Sequence, residues 1–333
     1  MALLILRKDE LEVLSLINGN QINSFSVLNG MDGFDRESFI EKRETHKEVI
    51  ESFVNDGAIW KDKAGRPYLI RELQGVFNII NSPEKTIRIK AASKKDLVAY
   101  YTYVGDMGVI FSIGKNEEFY TVAYTFNRQL LSTWFYDEFI GDLGVDNKSE
   151  SDINTNWELS GDEFDLLTVM IIFKNHLKQM DGGRQLTLES MGDSDVLSYI
   201  NENNYFNLNA EHMQKILDKD NLELMLQSLS DKGILKMNDQ VIDIHEVLHK
   251  GFEKVNLRDI VEISEMTPFM RGKNLYITNL GYMIFEPVMV NPMKWRISIL
   301  GLKVYPFKLL GELMEFGPVQ ASELLKKQFK EKL

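Results

Sequence analysis

The sequence predicts an α+β fold in which one unit of helices and antiparallel strands occurs twice, as a pseudo-twofold duplication whose β-sheet is flanked by helices. Three observations support this prediction: an amphipathic helix opens each half, a second helix ends at a glycine before a hairpin, and aromatic-rich strands follow. All three occur twice, in the same order, within 333 residues. We therefore expect residues 1–145 and residues 155–333 to form two halves of one composite body, with residues 177–221 as an insertion in the second half.

The first repeated element is the opening helix. The segment LRKDELEVLSLI, which starts at Leu6, aligns with LSGDEFDLLTVM, which starts at Leu159. Apolar residues recur at helical spacing in both segments. In the second copy, Ser160 precedes Glu163 by three residues. This spacing is typical of a capping box, which satisfies the free amides at a helix start.

The second repeated element is a helix, a glycine and a hairpin. The segment VIESFVNDGAIWKDKAGRPYLI aligns with MLQSLSDKGILKMNDQVIDI, and Gly57 corresponds to Gly233 at an offset of 176 residues. Each glycine suits the left-handed position just after a helix. The two short β-like runs around a polar turn predict a hairpin in each half.

The third repeated element is a group of strands. The segment LVAYYTYVGDMGVIFSI aligns with KNLYITNLGYMIFEPVM at the same offset of 176, so that Tyr100 corresponds to Tyr276. Aromatic and β-branched residues separated by glycine turns favour antiparallel strands. Each half then ends in an apolar helical segment, NRQLLSTWFYDEFI in the first and YPFKLLGELMEF in the second.

The change of offset locates the insertion. The two copies are 153 residues apart at the opening helix and 176 apart afterwards, which leaves 23 additional residues in the second half. We expect an extra helix there, around the segment DVLSYINENNYF. The acidic segment from Gly144 to Asn156 reads as an exposed, mobile linker between the halves.

Composition excludes several classes of protein. The net charge of −12 argues against a nucleic-acid partner, because phosphate binding needs a dense basic surface. With no cysteine, the chain has neither disulfides nor thiolate metal ligands. Its apolar runs are too short for a signal peptide or a membrane-spanning helix. We expect a cytoplasmic protein that does not insert into a membrane and needs no cofactor.

One short motif suggests catalysis. Residues 245–249 read HEVLH, which fits the H-E-x-x-H pattern of zinc peptidases. On a helix, His245 and His249 would lie one turn apart and could hold one Zn²⁺, while Glu246 activated its water. A zinc metallopeptidase is therefore an alternative function.

The duplication weakens this alternative. The corresponding helix of the first half, IRELQGVFNIINSP, has a glycine at the second histidine position, so the scaffold accounts for the helix without a metal. A third ligand would have to come from Glu253, Glu262 or Glu265, and Glu262 lies in a strand-like segment. We therefore expect no metal ligand and no catalytic residue in this chain, which we predict is not an enzyme.

A second alternative is a DNA-binding regulator. The segment LELMLQSLSDKGILKMNDQVIDI resembles the last helix and the wing of a winged-helix domain. However, the supposed recognition helix carries Asp218, Asp220 and Glu223 and few basic residues, which is unsuitable for DNA.

The chain resembles a known family, the EspG-type chaperones of type VII (ESX) secretion systems. Three segments carry the resemblance: the opening helix ELEVLSLINGNQI, the segment LQGVFNIINSPEKTIRIKA after the hairpin, and the strand pair VGDMGVIFSIGKNEEFYTVAYTF. The resemblance implies the family's quasi-twofold α+β architecture and a non-enzymatic cytosolic chaperone. The implied clients are secreted helical-hairpin proteins, of the PE/PPE kind in the family and of the Trp-X-Gly or LXG kind in a Gram-positive relative.

Two surfaces are candidates for binding such a client. The first is an apolar stripe at helical spacing near the C-terminus, which could receive a client helix, although such stripes more often pack on their own sheet. It consists of Phe307, Leu310, Leu313 and Met314. The second is the basic hairpin turn from Lys61 to Pro67, which carries Lys63 and Arg66 and is otherwise explained as a solvated tip.

Overall fold

The structure is a computed structural model. It describes residues 2–19, 21–29, 31, 34, 43–94, 98–104, 107–113, 119–125, 128–141, 154–180, 184–192, 196, 198–199, 210–253, 256–266, 271–288, 294–302, 304 and 306–315.

The described residues form helices and strands that alternate along the chain. The helices are α1 (Lys8–Ile17), α2 (Arg43–Asn55), α3 (Arg71–Asn81), α4 (Arg128–Phe139), α5 (Gly161–Gln179), α6 (Leu188–Met191), α7 (Ala210–Ile216), α8 (Lys219–Asp231), α9 (Glu246–Gly251) and α10 (Pro306–Met314). The strands are β1 (Ala2–Arg7), β2 (Ile59–Lys61), β3 (Pro67–Leu69), β4 (Lys85–Ala91), β5 (Val98–Val104), β6 (Met107–Ile113), β7 (Phe119–Thr125), β8 (Asn154–Ser160), β9 (Leu235–Asn238), β10 (Val241–Ile244), β11 (Leu257–Glu265), β12 (Arg271–Thr278), β13 (Tyr282–Val288) and β14 (Lys294–Leu300).

The fold is α+β, as predicted, with a large antiparallel sheet and helices that pack on it. The strand order of the sheet is β1-β7-β6-β5-β4-β11-β12-β13-β14-β8, and β2-β3 and β9-β10 form separate two-stranded hairpins. Strand β1 pairs with β7, so that Arg7 lies opposite Phe119. Strand β8 pairs with β14 in the same antiparallel sense, with Ser160 opposite Lys294.

The chain divides into two compact units. The first comprises residues 1–142, 260–273 and 305–314, and the second comprises residues 143–259, 274–304 and 315–333. A buried cluster in the first unit joins one face of β6 and β7 to α1 and α3, with Phe77 and Phe111 fully buried. A cluster in the second unit joins α5 and α8 to β13 and β14, with Leu166 and Ile297 fully buried.

Local signals read from the sequence are present in the structure. Ser160 accepts a hydrogen bond from the backbone N–H of Glu163 and completes the predicted capping box at the start of α5. Gly57 and Gly233 adopt the predicted left-handed conformation, with φ angles of 74° and 71°. Because glycine has no Cβ and adopts this conformation without strain, each helix can end there and its hairpin can begin.

The predicted starts of two helices and the predicted end of the linker need correction. The segments from Leu6 and from Leu159 were expected to be helical at once, but α1 begins at Lys8 and α5 at Gly161, and each follows an edge strand of the sheet. The predicted linker from Gly144 to Asn156 is also too long, because Asn154–Asn156 belong to β8. The alternation of buried Trp157 and Leu159 with polar neighbours was the available signal.

The order of the described elements repeats along the chain. From β1 to α4 the order is strand, helix, helix, hairpin, helix, four strands and helix, and the same order runs from β8 to α10 with α6 and α7 added. The added helices lie within the predicted insertion, residues 177–221. The helix predicted around residues 195–206 falls mostly outside the described residues. The internal repeat and its halves, 1–145 and 155–333, remain predictions.

Among the residues that the structure describes, no helix is both long enough and apolar enough to cross a membrane.

Candidate partner-binding surface

The β2–β3 hairpin is anchored at both ends to helices of the first unit. After α2, the N–H of Ala58 donates to the carbonyl oxygen of Phe53 at 2.9 Å, and the N–H of Ile70 donates to the carbonyl oxygen of Ala58 at 3.1 Å. Ile70 then serves as the N-cap residue of α3. These bonds fix the base of the hairpin, so its tip extends from a rigid support.

The tip of this hairpin is held by the carboxylate of Asp62. It accepts hydrogen bonds from the backbone N–H groups of Ala64 and Arg66, both at 2.8 Å. The N–H of Asp62 donates to the carbonyl oxygen of Arg66 at 3.0 Å, and Gly65 has a φ of 79°. An aspartate that bonds its own turn and a glycine in the left-handed region organise the backbone before any partner arrives.

The predicted basic side chains are all exposed at this tip. Lys61 forms an ion pair with Glu51. Lys63 and Arg66 are exposed, and among the described residues neither has an ion-pair partner. Since the carboxylate of Asp62 is engaged by backbone amides, the tip presents two cations to solvent on a chain with a net charge of −12.

An aromatic pair beside the cations was not predicted from the sequence. Trp60 stacks on Tyr68 across the hairpin, with ring centroids 4.7 Å apart and planes 20° from parallel. Half of the Trp60 side chain is exposed. The available sequence signal was the position of the two aromatic residues on either side of the turn, where they lie directly opposite each other in the strand register.

The β9–β10 hairpin of the second unit differs from the β2–β3 hairpin in its turn, in its lack of an aromatic pair and in its outer edge. Its turn contains Asp239, with a φ of 56°, and has no aromatic pair. Its outer edge is occupied by residues 186–188, since the N–H of Ile242 donates to the carbonyl oxygen of Leu186 and the N–H of Leu188 donates to that of Gln240, both at 2.9 Å. The β2–β3 hairpin cannot be extended in the same way at Pro67, which has no N–H to donate.

The predicted apolar stripe on α10 is only partly accessible. Leu313 is fully buried, and so is Leu309, which the sequence analysis did not single out. Leu310 and Met314 are half-buried, and the side chain of Phe307 lies outside what the structure describes. Helix α10 packs against α4 within the first unit. The inner part of the stripe therefore belongs to the core, and only its flank is available to a partner.

The HEVLH motif does not form a continuous helical face. His245 is the N-cap residue of α9, a helix of 6 residues, and His249 lies in its last turn. The carboxylate of Glu246 binds the ammonium of Lys250, which lowers the pKa of Glu246. His249 is 5% exposed, and burial lowers its pKa to about 4, with a further contribution from nearby Lys174.

Two of the three possible third zinc ligands are engaged in ion pairs with other side chains. Glu253 accepts a bond from Lys178 at 2.8 Å, and Glu265 is buried between Lys85 and Arg271. Glu262 is an exposed residue of β11, which is a strand as expected. Within the described part of the chain, no three histidine, aspartate or glutamate side chains are grouped as metal ligands.

The helix proposed as a DNA-recognition helix in the alternative interpretation is α8. Its exposed residues include Asp220 and Glu223, and Leu224 is 70% exposed. A carboxylate-bearing surface repels the phosphate backbone, so the observed surface gives no support to DNA binding.

Comparison with known proteins identifies no family for this chain. No protein-family model matches it, and no curated protein matches it. Among solved structures, it is similar to the type VII secretion system chaperone EspG5 of Mycobacterium tuberculosis, solved in complex with a PE25–PPE41 dimer. The similarity covers 96% of this chain and 99% of that chain at 8% identity, with a TM-score of 0.39. The α+β fold of this chain is therefore defined by its own strand order and register.

Proposed function

We propose that this chain is a cytosolic chaperone that binds a helical client of a type VII secretion system and keeps it soluble. The carrying observation is the pre-organised β2–β3 tip, which combines the stack of half-exposed Trp60 on Tyr68 with the exposed cations of Lys63 and Arg66. The choice of client follows from the resemblance of the sequence segments to EspG-type chaperones.

The chemistry of the tip suits recognition of a protein. Tryptophan, tyrosine and arginine are the residues most enriched among those that dominate binding energy at protein interfaces. A rigid aromatic stack can cover apolar side chains of a client helix at a low entropic cost. The two cations on an otherwise acidic chain favour a client segment that carries carboxylates beside its apolar residues.

A second contact is proposed on the flank of α10, where Leu310 and Met314 are half-buried. The hairpin and α10 both belong to the first unit. Methionine adapts to irregular apolar surfaces, so this flank suits a client helix whose apolar residues are spaced by one turn.

The decisive experiment is co-expression with helical-hairpin secretion substrates encoded beside this chain's gene. We expect one of them to co-purify as a stable complex and to precipitate when expressed alone. If every such substrate stays soluble alone and none co-purifies, the chaperone function is wrong.

The site is tested separately by charge reversal. The double variant Lys63→Glu and Arg66→Glu should weaken the complex about tenfold or more, with less salt dependence than the wild type. Lys236→Glu, which reverses an exposed lysine on the second hairpin, is the matched control and should bind normally.

The apolar contacts are tested by truncation and by added charge. Trp60→Ala should weaken binding about tenfold, because it removes half of the stack. Leu310→Glu or Met314→Glu should weaken the complex if the client helix reaches α10. A complex that tolerates all of these variants would disprove the site and leave the chaperone function standing.

A further inference from the structure

The outer face of strand β1 exposes apolar side chains. Leu3 is 58% exposed and Ile5 is 63% exposed, whereas Leu6, which points to the opposite face, is buried. On the neighbouring strand β7, Phe119 is 51% exposed and lies opposite Arg7. Residues that alternate along a strand share one face, so these three apolar side chains form one exposed stripe at the edge of the sheet.

The backbone of β1 forms an open edge. Among the strands that the structure describes, β1 is terminal in the sheet and pairs with β7 alone. The strand contains no proline and no acidic residue. Its one charged residue, Arg7, is bound to Glu10 at 3.1 Å and lies near Asp9 at 3.7 Å. Residues 2–6 therefore carry neither a charge nor a proline, two of the devices that protect an edge strand from pairing.

The other terminal strand shows that the fold does not require this arrangement. On β8 the exposed residues are Asn154, Asn156, Glu158 and Ser160, all of them polar. Arg296 of the adjacent strand lies 3.7 Å from the carboxylate of Glu158. A charged, ion-paired edge discourages pairing with another chain. The apolar outer face is therefore a property of β1, not of edge strands in this protein.

We propose that β1 pairs antiparallel with β1 of a second copy of this chain and forms a twofold dimer. An added strand needs apolar side chains on both faces, one set beside Leu3 and Ile5 and the other beside Leu4 and Leu6. The sequence ALLILR has this property itself, so β1 is complementary to its own copy. The surface is distinct from the proposed client site, and the dimer does not depend on the proposed function.

Charge and closure both favour this occupant. The chain has a net charge of −12, but β1 itself has no acidic residue, and its one charged residue, Arg7, is a cation. When β1 pairs with its copy across a twofold axis, the open edge of β1 is used up in both copies. The exposed residues of β8, the other terminal strand, are polar and discourage a further pairing. The assembly therefore closes as a dimer and does not grow into a filament.

The size of the contact determines its strength. A pair of six-residue strands with one exposed aromatic on each copy buries less than the roughly 1,200 Å² of a standard stable interface. The dimer is therefore weak, and it forms as concentration rises through the micromolar range.

Sedimentation equilibrium of the full chain, from about 1 to 500 μM, tests the proposal against the concentration scale of weak interfaces. The average mass should rise from 38.5 kDa towards twice that value. Ile5→Lys and Leu3→Lys, each at an exposed position, should keep the monomer mass throughout, with an unchanged circular dichroism spectrum and melting temperature. Asn156→Lys, an exposed residue of the β8 edge, is the matched control and should dimerise like the wild type.

A cross-linking experiment locates the contact, since the chain has no cysteine. Ile5→Cys should be joined into a covalent dimer by a short bismaleimide linker, and Glu158→Cys should not. A mass that stays at the monomer value up to the highest concentration overturns the proposal. So does a dimer that survives both lysine variants, equal cross-linking at the two cysteines, or a monomer whose β1 instead pairs with a strand of another protein.

Discussion

The buried His249 should make the stability of this protein fall between pH 7 and pH 5. Burial, together with the positive charges of Lys174 and Lys178, lowers its pKa from the ordinary value of 6.5 to about 4. In the unfolded chain this histidine binds a proton as the pH falls below about 6.5, whereas in the folded chain it stays neutral until about pH 4. Acidification therefore favours the unfolded state, and the stability present above pH 6.5 is lost as the pH falls.

The magnitude follows from the two pKa values. For a group that titrates at 6.5 when unfolded and about 4 when folded, the free energy of unfolding drops by about 2 kcal/mol between pH 7 and pH 5. The substitution His249→Leu removes the titrating group and keeps an apolar side chain in a site that is 5% exposed. We expect the variant to lose about 2 kcal/mol less than the wild type over this interval.

Urea denaturation at pH 7, 6 and 5 measures this difference. Val247→Ala is the matched control, because it removes buried volume from the same helix without a titrating group. It should lower stability by a similar amount at each pH. Parallel curves for wild type and His249→Leu between pH 7 and pH 5 would refute the reasoning, since the buried imidazole would then have no differential proton affinity.

Three further substitutions and one surface control, Glu223→Ala, test the packing by urea denaturation at pH 7. Glu163→Ala should cost about 2–3 kcal/mol, because its buried carboxylate accepts bonds of 2.6 Å from Ser228 of α8 and from the C-cap residue Lys232, and caps α5. Glu223→Ala, at an exposed position of α8, should change stability by less than about 0.5 kcal/mol. Gly281→Ala should cost about 2 kcal/mol or more, since the new Cβ would lie 2.7 Å from the carbonyl oxygen of Leu300. Gly75→Ala in α3 should stabilise by about 0.5–1 kcal/mol, because the space beside it is open; a loss of stability there would contradict the helix assignment.

The candidate site could be predicted only in part. The basic residues of the β2–β3 turn stand out because they interrupt an acidic sequence, and the structure places all of them on the surface. The sequence could not reveal that Trp60 remains half exposed or that Asp62 is engaged by backbone amides. For α10, periodicity identifies an apolar stripe but not the direction it faces, and Leu313 proved to be buried. Exposure depends on what packs against an element, which no local pattern encodes.

The sequence by itself determined the order of helices and hairpins in this protein, because the physics of those elements is local. Gly57 and Gly233 end helices through their own backbone freedom, and Ser160 caps a helix through a residue three positions away. Only the tertiary structure decided the positions of β1 and β8 in the sheet. Ala2–Arg7 is a strand because β7, more than 100 residues later, supplies its hydrogen-bonding partners. The two edges obey the same backbone geometry, but one exposes Ile5 and the other Glu158, and the difference acquires meaning only when each strand is known to be an edge.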